Sequence, residues 1–276
     1  MLKQVKLKTL FSLSTKSAFA LLIAATAFTQ IACNDDDKVV GDGSVQTDPT
    51  AIIPTKGKTY TYQIKDEDGS VATQITRVKN VRDSSGIAVF DIENKISGDG
   101  SETVLMMKSF SKGGVTTNEI ALPAAYATLL EEFKGSDLVK SIKISGFPQY
   151  QLLENTAAVG NKMTFKGEPI KLNLVLAFEE DGEEFTTEID AVLTYEDGAV
   201  KKVESVTTPA GTFSCSKWEY SYELITKTFM NGELQDQSNE LRLVSEWTSP
   251  GVGVVKSVES DLLGTPTSVT ELKKVD

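Results

Sequence analysis

Few residue types in this chain could do chemistry. Its 276 residues include no histidine and two cysteines, Cys33 and Cys215. Without histidine the commonest general base is missing, as are the Ser/His/Asp triad and the usual zinc and haem ligands. Cys215 has no histidine to activate it as a nucleophile. Carboxylates are plentiful, with 39 Asp and Glu. Paired carboxylates can hydrolyse glycosides, so a carboxylate-dependent hydrolase of an extracellular polymer is one reading the sequence admits. The densest cluster, "EEDGEE" (Glu179–Glu184), straddles an expected turn, where water keeps carboxyl pKa values ordinary and acid catalysis is poorly served. That cluster and "KDEDGS" (Lys65–Ser70) offer oxygens to calcium, but neither has EF-hand spacing. The chain has no phosphate-cradling Gly-Lys-Ser/Thr loop and no dinucleotide fingerprint. No catalytic residue, cofactor or metal is expected.

Cys33 carries the most specific chemical signal. Lys3, Lys6, Lys8 and Lys16 are the only charges before residue 35, and the apolar run "AFALLIAATAF" (Ala18–Phe28) follows them. A basic start and an apolar run shorter than the roughly 20 residues of a bilayer span read as a secretory signal. "QIAC" (Gln30–Cys33) resembles the lipobox of bacterial lipoproteins, in which the cysteine is acylated and becomes the new N-terminus. Ala32 fits the small position, while Gln30 departs from the usual Leu. The resemblance implies lipidation at Cys33 and a membrane anchor, each buried CH₂ contributing about 0.8 kcal/mol. Asp35, Asp36 and Asp37 in "CNDDDK" resemble the lipoprotein export signal of the Bacteroidota. They imply an outer-membrane location at the cell surface, with the periplasmic face as the alternative.

Removing residues 1–32 takes away four lysines, leaving 24 basic against 39 acidic residues, a net −15. Such a charge repels phosphate backbones, so nucleic acid is excluded as a partner. With Cys33 acylated, Cys215 has no disulfide partner and is expected in the core. The organisation reads as a signal over 1–32, a polar, Gly/Pro-punctuated acidic tether over 33–55, and one domain over 56–276. Within the tether only Val39, Val40, Ile52 and Ile53 could dock locally.

The elements that must position any site are strands. Asp68-Gly69, Asp99-Gly100, Gly113-Gly114, Asp181-Gly182, Asp197-Gly198 and Asn231-Gly232 lie between runs of alternating apolar residues. Such pairs accept the positive φ of tight hairpin turns and imply antiparallel sheet. Tyr60, Tyr62 and Ile64 share one face; so do Leu172, Leu174, Leu176 and Phe178, and Trp218, Tyr220, Tyr222 and Leu224. Trp218 is out of step with Phe213 and Cys215, which predicts a bulge near Ser216-Lys217. One helix is expected over Leu122–Gly135, with Tyr126, Leu129, Leu130 and Phe133 on its apolar face.

Three C-terminal motifs occur in order: "TPAGTFSCSKWEYSYE" (Thr208–Glu223), "EWTSPGVGVVKS" (Glu246–Ser257) and "SVTELKKV" (Ser268–Val275). Together they resemble the TapB-like family of secreted or lipid-anchored bacterial domains, over Gly160–Val275. The resemblance implies a mainly β fold, a long antiparallel sheet curved into a half-open barrel. It brings little chemistry. The motif glycines read as architectural. The function expected is that of a non-catalytic surface lipoprotein, using its curved sheet to bind an apolar, glycan or protein ligand. A LolA/LolB-like carrier of a lipid or acyl chain stands beside the hydrolase as an alternative.

Overall fold

The computed structural model describes residues 47–276, except 99, 123–129, 131–137, 157 and 181–182. Cys33, Asp35, Asp36 and Asp37 lie outside the described residues. So does nearly all of the expected helix over Leu122–Gly135; Leu130 is described there by itself and is helical, and no helix is among the elements of the described fold.

The elements are fourteen strands. They begin with β1 (Thr59–Asp66), β2 (Val71–Ser84), β3 (Ile87–Gly98), β4 (Ser101–Lys112), β5 (Val115–Ile120), β6 (Val139–Ser145) and β7 (Gln149–Glu154). They continue with β8 (Lys162–Lys166), β9 (Ile170–Glu180), β10 (Glu183–Thr208), β11 (Gly211–Met230), β12 (Glu233–Ser249), β13 (Gly253–Ser260) and β14 (Pro266–Val275). The sheet runs β11-β12-β13-β14-β1-β2-β3-β4-β5-β7-β8-β10, and β10 returns to pair with β11. The barrel is therefore closed with twelve strands, not half-open as the resemblance implied. Closure follows from the long β10–β11 hairpin, paired from Thr187↔Met230 to Thr208↔Gly211. β8 meets the same strand at Gly198 and Ala199. A closed circuit leaves its strands no free edge. β9 and β6 continue the sheet outside that circuit, alongside the first half of β10.

Three of the six expected turn pairs connect strands among the described residues; Asp99, Asp181 and Gly182 lie outside them. Asn231 and Gly232 take φ of 51° and 81° between β11 and β12, as a two-residue hairpin requires. Asp68-Gly69 and Gly113-Gly114 also connect strands. Asp197-Gly198 does not: it lies inside β10, where the register slips between Glu196 and Ala199. A Cβ on Gly198 would stand 2.5 Å from the Glu219 carbonyl oxygen, so this glycine serves close backbone approach at a bulge. The second slip lies between Val200 and Lys202, so the extra residue is Lys201 of β10, opposite Lys217-Trp218. The bulge expected on β11 is thus carried by its partner. The change of phase on β11 has another cause: Cys215 and Ser216 are both buried, so the strand is covered on both faces there.

The lead-in to β1 stoppers one end of the barrel. Ile52 packs with Leu153, Met163, Val200 and Trp218, while Ala51 and Ile53 pack with Val78, Ala88, Phe90 and Ile92. Fully burying a side chain such as Ile contributes roughly 1.5–3 kcal/mol. The "PGVG" turn forms the seat: Gly251 N–H donates to the Ala51 carbonyl, and Thr55 N–H donates to the Gly251 carbonyl, each at 3.0 Å. A Cβ on Gly251 would meet Thr55 Oγ1 at 3.2 Å, and one on Gly253 would meet Pro54 Cδ at 3.2 Å. Both glycines also have positive φ, 70° and 79°. The architectural reading of these glycines is correct, because the chain passes directly over them.

Candidate functional site

Inside the closed wall lies a cavity of about 120 Å³ to which all twelve barrel strands contribute residues. One wall is polar. Gln74 and Thr76 of β2, Asn94 of β3, Ser109 of β4, Asn118 of β5 and Gln151 of β7 form a belt around it. Thr76 Oγ1 donates to Asn94 Oδ1 at 2.5 Å and Gln74 Nε2 to Thr76 Oγ1 at 3.0 Å. Ser109 Oγ donates to Asn118 Oδ1 at 2.8 Å, and Asn118 Nδ2 to Gln151 Oε1 at 3.0 Å. Each such buried bond contributes about 1 kcal/mol net, and a missing partner costs more than that. Gln74 is 2 % exposed, lines the cavity, and its Oε1 has no partner.

The facing wall is aromatic and acidic. Phe165 stacks on Tyr195 with ring centroids 4.6 Å apart and tilts against Tyr220 at 5.3 Å. Tyr62 completes this side, its hydroxyl donating to the Val254 carbonyl at 2.9 Å. Glu246 of β12 projects among these rings. It lines the cavity, and burial pushes its carboxyl up to about 7. No hydrogen bond or ion pair engages it among the described residues. Its charge opposes ionisation of the Tyr62 and Tyr220 phenols, which burial already raises.

A second chamber of about 80 Å³ adjoins through Tyr195, Tyr220, Glu246, Val254 and Thr270. Glu259 of β13 enters it, also raised by burial. Arg242 Nε stands 3.7 Å from the Glu259 carboxylate and its NH2 nitrogen 2.7 Å from Glu240, so this cation is committed. Thr267 Oγ1 donates to Glu259 at 3.3 Å. Tyr222 points at Glu259 without reaching hydrogen-bond geometry, and burial followed by that charge raises its phenol. Among the described residues no Lys or Arg lines either chamber.

The residues singled out in the sequence fall elsewhere. Glu179 lies near the end of β9 and Glu183 and Glu184 open β10, with Glu184 paired to Lys140; Asp181 and Gly182 lie outside the described residues. In "KDEDGS" Asp68 Oδ1 accepts from Ser70 N–H at 2.8 Å, as turn chemistry requires. Among the described residues no group of three or more His, Cys, Asp and Glu is placed to hold a metal ion. Cys215 is 1 % exposed, and burial, then the nearby Glu204 charge, push its thiol up to about 11. Glu246, Glu259 and Gln74 escaped the sequence reading. The one available signal was register: Glu246 lies opposite Trp218 across the β11–β12 ladder, on the face those aromatics define.

Residues 181–272 match a family described as DUF3108-like. That stretch spans β10 through most of β14, within the Gly160–Val275 region of the motif resemblance. The chain is similar to a solved protein of Parabacteroides distasonis regarded as a lipoprotein, at 19 % identity and a TM-score of 0.55, covering 83 % of this chain and 100 % of that one. It is also similar to a protein of Bacteroides fragilis regarded as exported and having a YmcC-like fold, at 16 % identity and a TM-score of 0.49, covering 81 % and 98 %. No curated protein matches the sequence. At 19 % identity the likeness to the Parabacteroides distasonis protein is one of fold.

Proposed function

We propose that the protein is a lipid-anchored envelope protein that binds a small ligand in its barrel lumen and does not catalyse a reaction. Cys33 is the anchor in this reading, and Asp35, Asp36 and Asp37 direct the protein to the outer face of the outer membrane. Support for the location comes from the signal-like N-terminus and from the Parabacteroides distasonis neighbour regarded as a lipoprotein. The observation that carries the binding reading is the preformed cavity, built by all twelve barrel strands and lined by Gln74 Oε1, which has no hydrogen-bond partner among the described residues. Barrels of this kind hold ligands in their interiors, with a few placed polar groups fixing orientation. The ligand is compact. An engineered cavity of roughly 150 Å³ holds benzene, and a lumen of about 120 Å³ is of that order. A full acyl chain does not fit, which argues against the lipid carrier.

A hydrolase is the second reading, favoured by one observation. Glu246 opposes Ser257, and Glu259 opposes Val244, so the two acids are diagonal neighbours on adjacent strands. Such neighbours lie roughly 7–8 Å apart at Cα, and paired carboxylates are the hydrolytic apparatus of glycosidases. A chamber of about 80 Å³ is small for a polymer, which weighs against it. The test is a thermal-shift screen of small amines, sugars and aromatics beside a turnover screen on glycosides and esters. Shifts without turnover support binding, because a ligand of the folded state stabilises it. Turnover that is lost in both Glu246→Gln and Glu259→Gln would sink it.

A further inference from the structure

Two acceptors in the lumen stand out among the described residues. Glu246 is a carboxylate with no countercharge, and Gln74 Oε1 is a buried oxygen with no donor. These are independent of each other: one lies on β12, the other on β2 across the barrel. The charged and titratable groups on the surrounding strands leave the demand unmet. Arg242 on β12 is held by Glu240 and Glu259. β1, β10 and β11 supply Tyr62, Tyr195, Tyr220 and Tyr222, and β13 supplies Glu259. Glu119 of β5 borders the cavity, but it alternates with Asn118 and lies opposite Tyr150 on the outer side, toward Lys108. A negative charge inside a wall of aromatic faces is the environment that recognises an organic cation.

We propose that the lumen binds a small organic cation, a protonated amine on a compact apolar or aromatic body, with Glu246 as its counterion and Phe165, Tyr195 and Tyr220 against its flank. Gln74 Oε1 supplies a further acceptor for ligand N–H. This identity rests on the lumen being a binding compartment. It accounts for both unpaired groups at once, which a neutral or anionic ligand does not. The acidic chain as a whole favours the same sign of ligand, since its field concentrates cations at its surface.

Three probes of one size separate the possibilities: benzylamine, benzyl alcohol and benzoate. Calorimetric titration of the full-length protein in detergent should show benzylamine binding at least about tenfold more tightly than benzyl alcohol, a difference of about 1.4 kcal/mol, and benzoate not binding. Glu246 ionises at about 7, so benzylamine affinity should rise roughly tenfold between about pH 6 and about pH 8, with a proton released on binding near neutrality. Glu246→Gln should lower benzylamine affinity about tenfold or more and remove the pH dependence. Benzyl alcohol should lose less affinity than benzylamine in that variant, and a cooperative urea melt shows that it folds. Gln74→Met provides a second variant, expected to weaken benzylamine more than benzyl alcohol. If benzyl alcohol or benzoate binds as tightly as benzylamine, or if Glu246→Gln leaves benzylamine affinity intact, the cation is overturned while the binding lumen stands. If none of the three probes binds, both are overturned.

Discussion

Replacing Glu246 by Gln should stabilise the protein, and by an amount set by pH. In the fold the carboxyl ionises at about 7, against 4.5 for the ordinary group. Between those values the folded protein binds more protons than the unfolded chain, so wild-type stability falls as pH rises through the interval and levels off above about 7. Each pKa unit corresponds to about 1.4 kcal/mol, and the interval from 4.5 to about 7 sets a ceiling of about 3 kcal/mol. Water in the cavity screens part of this, so the measured effect should be about 1–3 kcal/mol. The amide keeps the shape and loses the ionisation. Urea unfolding of both proteins near pH 4.5 and near pH 8, at the same ionic strength, gives the difference directly. The variant should gain little at the lower pH and the full amount at the higher. For a domain of this size 1 kcal/mol moves the melting temperature by about 2–4 °C. Glu259 is raised too and steepens both curves alike, so the difference between them isolates Glu246. A gain that is the same at both pH values, or a loss at pH 8, would refute the account of a buried, unpartnered carboxylate.

Cys33→Ser should abolish labelling by an alkyne fatty acid and release the protein from the membrane fraction; continued labelling would place the anchor elsewhere. The Cys215 thiol, buried and raised to about 11, should react slowly with a thiol reagent in the native state and rapidly in urea. Gly198→Ala should destabilise by about 1–3 kcal/mol, read as a lower urea midpoint, because its Cβ meets the Glu219 carbonyl and the Tyr220 side chain. Ile52→Ala should cost about 2–5 kcal/mol by opening the stopper, and the same melts measure it.

Several hairpins were legible because turn pairs and alternation are local signals; the start of the fold was not, since Ala51, Ile52 and Ile53, read as part of the tether, are buried. Nor was the interior. In "TQITRV" alternation makes Ile75 the natural core residue, yet Gln74 and Thr76 are buried while Ile75 keeps partial exposure. A lumen lined by amides reverses the usual parity, and nothing local marks the reversal. Glu246 was hidden for the same reason: in "LVSEWT" it reads as an outward charge. Asp197-Gly198 has the composition of a hairpin and is instead a bulge, since only the neighbouring backbone of Glu219 decides which use the glycine has. Closure was illegible because it needs β1 to pair with β14 from the far end of the chain, and because β8 and β10 touch through only two residue pairs. Cys215 was readable because a lone thiol has few tolerable environments outside the core.

The chain that runs from the barrel toward its N-terminus is the chain that stoppers it. Tension applied along that lead-in falls first on Ala51, Ile52 and Ile53 and on the backbone bonds to Gly251, before it reaches the strand ladder. Gly251 also accepts from the Tyr60 hydroxyl at 2.7 Å, so the load is shared with β1 at the point where the wall begins. Those few contacts act as a mechanical fuse. If Cys33 anchors the chain and the lumen holds a ligand, as proposed, tension on this lead-in would loosen the stopper before the ladder.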